Sequence, residues 1–297
     1  MFAIALTVLS AMVIGCSGQK GSTDEATRLM ETAYKAKDYS RLMLLADSLE
    51  KIGDLLPATA NYWRGYACDR MKQKDEAATY WKTSIELAGK SELEENLDTY
   101  VKSASRLANQ LCLSGDYKGT LQMAQPVVAR LEEMKCDTTS DYINLLIYIG
   151  LSQVSEGVSE EETQQGFHRA CEKHRQNIER THSDNAYKNA IAGLVNIAYY
   201  CVQAQKYEPA LYYTSNFGEL LIEYEQRPWV DTNYIDRQVG RFTIYKALAL
   251  DHLGRKDEAG KTYAAFLATK FSQSAEGMTL AKDYQEGVVD IEASEEP

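Results

Sequence analysis

The residues best suited to chemistry lie close together in one segment. His168, Cys171 and His174 fall in the run FHRACEKH. On a helix, steps of three residues bring side chains to one side, so two imidazoles and a thiol could converge as ligands for a metal such as zinc. The flanking Arg169, Lys173 and Arg175 repel a cation, and no second ligand cluster accompanies them. The segment is therefore expected to be a solvated helix face without a metal site. No G-x-x-x-x-G-K-[ST] phosphate loop and no G-x-S-x-G nucleophile turn is present. The acidic runs at Ser159-Glu160-Glu161-Glu162 and Ser91-Glu92 suit helix N-termini. No catalytic residue and no cofactor is expected, and the chain reads as a non-enzyme.

Cys16 is the other candidate. Met1 to Gly15 is almost uninterrupted apolar sequence, MFAIALTVLSAMVIG, and Cys16 is followed by the polar run SGQKGSTDE. The apolar run is short for a bilayer-crossing helix, which needs ~20 residues, and it fits the hydrophobic region of a secretory signal. Val13-Ile14-Gly15-Cys16 resembles a bacterial lipobox. That resemblance implies cleavage before Cys16 and a diacylglycerol on its thiol. No Lys or Arg precedes the run, so only the α-amino group supplies positive charge. Residues 1–16 thus read as signal peptide and lipobox, and residues 17–23 as a Gly- and Ser-containing tether. The chain is expected to be exported and membrane-anchored, on the periplasmic side or in the cell envelope. Cys68, Cys112 and Cys201 sit inside apolar helical patterns and read as small core residues. No pair has C-x-x-C spacing, and the five cysteines left after Cys16 argue against a full disulfide framework.

These candidates have to be held by helices. Among 297 residues there are only 5 prolines and 18 glycines, so few breakers interrupt the chain. Hydrophobic residues make up 44% and charged residues 25%, as in an ordinary globular protein. The net charge is −11 with no basic stripe, which excludes phosphate neutralisation and hence nucleic-acid binding. An internal repeat organises the helices. In ANYWRGYACDRMKQKDEAATYWKTSIELA, Gly65 is followed by Ala77 and then Trp81. The pattern resembles the tetratricopeptide repeat (TPR), which pairs a glycine in its first helix with A-x3-F in its second. Small residues let two helices approach closely, and the large ring fills the space beside them. Phe242 to Ala268 repeats this with Ala247, Ala259 and Tyr263. Leu194 to Phe217 repeats it with Ala198 and Ala210, and Pro209 opens the second helix. Weaker copies run from Thr27 to Leu49, Ala104 to Val127 and Asp141 to Ala170, the last with Gly150 and Phe167. Tyr39, Tyr117 and Tyr207 recur in the turns and are expected to cap each crossing. The second-helix anchors Leu42, Ala77, Thr120, Thr163, Ala210 and Ala259 are spaced by about 35, 43, 43, 47 and 49 residues, longer than a standard repeat. Loops are expected near Gly89–Ser91, Cys136–Ser140, His182–Asn185 and Glu225–Asp231. Pro126 is expected to kink or end its helix. The fold class is all-α: a TPR-like α-solenoid of about six antiparallel helix pairs in a right-handed superhelix over residues 24–285. An acidic tail follows at 286–297.

A solenoid offers a concave surface lined by the first helix of each pair. In this register the lining comprises Tyr62, Tyr66, Asp69, Arg70, Lys102, Ser105, Asn109, Tyr199, Gln203, Arg241, Asp251 and His252. Tyr and Arg favour interfaces, although Tyr66 and Tyr199 could equally pack between repeats. Lys102, Asn109 and Arg241 have the types of a carboxylate clamp but are scattered across repeats. From about Thr23 to Ala275, segments such as DYSRLMLLADSLEK, YWRGYACDRM, DTTSDYINLLIYIG and ALALDHLGRKDEA resemble the exported sensory region of bacterial TPR-containing sensor histidine kinases. The resemblance implies sensing or scaffolding. It lends no kinase activity to these residues, which include no phospho-accepting histidine module and no ATP-binding glycine boxes. The expected partner is a protein or peptide, with a homodimer through the terminal repeat as a further one. The alternative is a stand-alone lipoprotein holding a small glycan or peptide in the groove.

Overall fold

Turn chemistry decides where this chain reverses. The computed structural model describes residues 19–90, 93–137, 139–157 and 160–287. Among them are thirteen α-helices, one short 3-10 turn and no strand. Six pairs run in order: α1 (Gln19–Lys35) with α2 (Tyr39–Ile52), α3 (Pro57–Arg70) with α4 (Lys74–Lys90), and α5 (Leu93–Leu113) with α6 (Tyr117–Glu133). They continue with α7 (Ser140–Ser155) and α8 (Glu160–Thr181), α9 (Asp184–Gln203) and α10 (Tyr207–Glu225), and α11 (Thr232–His252) and α12 (Lys256–Leu267). The 3-10 turn Phe271–Gln273 and α13 (Ala275–Glu286) follow. The chain divides into two units between Ser103 and Ala104, inside α5. Residues 1–18, with Cys16, and residues 288–297 of the expected tail lie outside the described residues. Helix α1 already begins at Gln19, within the stretch expected to be a tether. No helix among the described residues is long and apolar enough to cross a membrane.

Each pair closes through one left-handed residue: Lys37, Lys72, Gly115, Gly157, Gln205 and Gly254 have φ between 54° and 78°. In five of these turns the next backbone N–H reaches back to satisfy a helix-end carbonyl, as in Gln73 N–H to Cys68 O at 2.8 Å and Lys206 N–H to Cys201 O at 2.7 Å. This is the Schellman closure. Where the following residue is Asp, its carboxylate also caps the next helix: Asp38 accepts from Arg41 N–H and Asp116 from Gly119 N–H.

The small residues lie at the crossings as expected. Ala33, Leu42, Ala46, Ala77, Ala108, Thr120, Ala124, Ala198, Ala210, Ala247 and Ala259 are all buried. A Cβ on Gly65 would stand 2.5 Å from the Trp81 indole, and one on Gly150 would stand 2.9 Å from the Phe167 ring. Both glycines are therefore fixed by the rings they face. Three expectations are corrected. In the last pair the buried ring is Phe266, while the half-buried Tyr263 stacks on Tyr284 of α13 at 4.3 Å. Tyr39 and Tyr207 do not cap their own crossings; they meet Tyr66 and His252 on the first helix of the next pair. Pro126 does not end its helix. Helix α6 runs through to Glu133 because Thr120 and Ala124 before the proline, and Val127, Val128 and Leu131 after it, are all buried.

Candidate functional site

In the first unit, α1 and α3 are the first helices of successive pairs, and their rings meet. Tyr34 lies 5.9 Å from Trp63 and 5.1 Å from Tyr66; Trp63 lies 5.2 Å from Tyr62 and 6.2 Å from Tyr66. All four contacts are edge-on or tilted. The Arg70 guanidinium sits 5.2 Å over the Tyr66 ring and donates to its hydroxyl at 3.0 Å. Burial, with the neighbouring Tyr34, pushes the Tyr66 hydroxyl up to about 12. Tyr34 is exposed and Tyr62 and Trp63 are half-buried, so the cluster opens to solvent above a floor of Met30, Ala33, Leu42 and Ala67.

The structure brings Tyr62, Tyr66 and Arg70 together as one group. Tyr66 is buried and forms its base. Asp69 is paired with Lys74 at 2.5 Å, and Lys102 with Asp98 at 2.7 Å. Tyr34 and Trp63 are the residues that the sequence reading missed. The α1–α2 pair carries only a weak copy of the repeat, so the alignment of Tyr34 with the α3 face could not be seen. Trp63 directly follows Tyr62 and was signalled by type alone.

In the second unit a tyrosine row crosses the first helices. Tyr148 of α7 meets Tyr200 of α9 at 5.9 Å, Tyr200 meets Tyr199 at 5.1 Å, and Tyr199 meets Tyr245 of α11 at 5.4 Å. The Tyr200 hydroxyl donates to Asn109 Oδ1 at 3.0 Å. Tyr199 and Ser105 are buried and Gln203 is half-buried on the same helix series. These ring contacts join the first helices of successive pairs. Arg241 is largely buried beside Glu276 of α13, and Asp251 pairs with Lys256 at 2.8 Å. His252 lies flat on Tyr207 at 4.6 Å.

The segment FHRACEKH is not a solvated face. Ala170 is fully buried and His174 is 5% exposed, because positions 167, 170, 171, 174 and 178 form one stripe of an amphipathic helix. His168 rests against Tyr212 and Tyr213. Burial raises the Cys171 thiol to about 12, so it is not a thiolate at neutral pH. No group of three or more His, Cys, Asp or Glu among the described residues is placed to hold a metal ion.

Two solved structures share this chain's fold. The structure of pilF from Pseudomonas aeruginosa aligns over 91% of this chain and 99% of its own, with a TM-score of 0.50 at 10% identity. The apo form of RapI aligns over 91% and 98%, with a TM-score of 0.51 at 14% identity. Both are TPR-repeat proteins. The fold is all-α and TPR-like. At these identities the likeness is one of fold. No family model and no curated protein matches the sequence.

Proposed function

We propose that the chain is a non-enzymatic binding module that captures a protein or peptide segment on the aromatic face of α1 and α3. The observation that carries this reading is the ring cluster of Tyr34, Tyr62, Trp63 and Tyr66, part-open to solvent, with Arg70 beside it. Aromatic and arginine side chains dominate binding energy at protein interfaces. The rings meet edge-on, so they form separate slots for side chains rather than one flat platform for a sugar ring. A negatively charged protein, with the electron-rich faces of these rings, favours an apolar segment carrying Lys or Arg.

The test is selection from a displayed peptide library on the full chain, followed by titration of the selected peptides against Trp63→Ala and Tyr34→Ala. Each substitution should weaken binding about tenfold or more. Peptides that bind the variants unchanged would move the site elsewhere. Glycans that compete with the peptides at this face would favour the stand-alone glycan-binding reading.

The same proposal has the module exported and anchored by lipid on Cys16, serving as the sensory or scaffolding part of a signalling system. Its support is the apolar run before Val13-Ile14-Gly15-Cys16 and the resemblance to exported sensory regions. Cys16→Ala should abolish labelling by a lipid precursor and release the chain from membrane pellets. An immunoblot of native membranes separates the two settings: a band near the mass of this chain fits a free-standing lipoprotein, and a much heavier band fits a longer receptor.

A further inference from the structure

The last helix of the second unit rests on a narrow footing. Of the residues of α13 only Gly277 and Leu280 are buried. Tyr284 lies on Tyr263 of α12 at 4.3 Å, and Gln285 Nε2 donates to the Tyr263 hydroxyl at 3.0 Å in an exposed position. Glu276, in the first turn, reaches two guanidiniums one helical turn apart on α11: Arg237 Nη2 at 3.0 Å and Arg241 Nε at 3.5 Å. The side chains of Arg241 and Glu276 are only 13% and 20% exposed. The 3-10 turn ahead of α13 is pinned more firmly. Asp236 of α11 accepts from Lys270 N–H at 3.1 Å and from Phe271 N–H at 2.7 Å, and the buried Phe271 ring packs on Gly240. Ser274, in extended conformation, joins that pinned turn to α13. A terminal segment with so few buried contacts opens at low cost.

We propose that α13 is a displaceable latch, and that the surface beneath it receives a helical segment of a partner protein carrying Asp or Glu and, four residues on, an apolar side chain. The latch itself is the template. Glu276 and Leu280 are four residues apart, so they share one face of α13, and both are turned to the rest of the unit. The carboxylate sets the chemistry. A largely buried guanidinium deprived of its counter-charge is strongly unfavourable, so Arg241 holds Glu276 until another anion takes its place. A neutral apolar helix would leave that charge unmet, and a basic one would add repulsion from Arg237 and Arg241. Ser274 gives α13 a pivot outside the turn that Asp236 holds, so exchange of the helix leaves the turn in place. The site belongs to the second unit and stands whether or not the aromatic face of α1 and α3 binds peptide.

The test uses the full chain and, as a mimic of the partner, a fluorescein-labelled synthetic peptide with the sequence of residues 274–287. Hydrogen exchange on the unmodified chain comes first. Amides of α13 should exchange at least about tenfold faster than those of α11, and equal protection would overturn the latch whether or not any variant folds. Fluorescence anisotropy then follows the peptide. It should bind Glu276→Gln about tenfold tighter than it binds the unmodified chain, because a charge-assisted pair no longer holds the resident helix. The peptide bearing Glu276→Gln should lose that binding. Equal affinity for the two chains, or equal affinity of the two peptides, would overturn the proposal. Dimerisation of the Glu276→Gln chain that the peptide suppresses would make the occupant a second copy of this chain and overturn the partner reading.

Discussion

Two glycine contacts in this chain share one geometry and differ in the ring they receive. In the first unit Gly65 of α3 lies against the Trp81 indole of α4; in the second, Gly193 of α9 lies against the His174 imidazole of α8. Trp81 is 1% exposed and fills its crossing, so the contact serves packing. His174 is smaller and polar, and its crossing borders a half-open cavity of about 170 Å³ between α8, α9 and α10. Each ring has a buried nitrogen without a hydrogen-bond partner among the described residues, so what differs is the space beside it: the indole fills its crossing, and the imidazole leaves room.

The largest effect should break the filled contact. Trp81→Ala should cost about 3–5 kcal/mol, measured by denaturant unfolding. A cost below about 1 kcal/mol would mean that the ring is not what holds α3 to α4.

Acid should discriminate between the two contacts. The imidazole pKa falls from its ordinary 6.5 to about 4 through burial, so the unfolded chain takes up its proton first as pH drops. The stability tied to His174 is full above pH 6.5, declines through the window down to about 4 and is level below it. At about 1.4 kcal/mol per pH unit, the loss is about 3 kcal/mol at most. The groups around it are Arg175 on its own helix, Glu219 on α10 and the neutral thiol of Cys171, with Ala190, Gly193 and Leu194 of α9. Unfolding curves of wild type and His174→Leu should diverge in this window. Their difference isolates the imidazole from Glu223, whose carboxyl is held low by the Tyr187 hydroxyl, against the opposing effect of burial, with help from Arg175. Parallel curves would refute a neutral buried His174.

Adding one methyl sharpens the contrast. Gly65→Ala should cost about 1–3 kcal/mol because the indole has nowhere to go. Gly193→Ala should cost less, since the imidazole can swing toward the cavity. Equal thermal shifts would show that the two crossings are equally tight. The smallest effect belongs to the turns. Lys72, in the turn before α4, and His182, between α8 and α9, both have positive φ, at 64° and 47°. Lys72→Gly and His182→Gly should each raise stability by up to about 1 kcal/mol by relieving the left-handed strain. Calorimetry on the two variants would detect a rise in Tm.

The six pairs were legible because their signals are local: a small residue, a polar turn, then a second small residue on the next helix. Gly65, Ala77 and Trp81 could be placed without knowing any long-range contact. His174 was not legible, because Arg169, Lys173 and Arg175, which pair with Glu132, Asp137 and Glu223, dominate the composition of the segment. The stripe Phe167–Ala170–Cys171–His174–Ile178 carried the contrary signal, and weighting period over composition would have found it. At the aromatic face, Tyr62 and Arg70 were recovered from the repeat register. Tyr34 was not singled out because its pair is a degenerate copy, and the ion pairs of Arg241 and Asp251, with partners on α13 and α12, could not be read from spacing.

The uniform left-handed closure also has a kinetic meaning. In five of the six pairs the two helices pack on each other directly across the turn, so the contacts that stabilise a pair join residues near one another in the chain. Loop closure is then brief and the search for partners is short. A pair can assemble once its own two helices are available, and growth can start at any pair and spread to its neighbours.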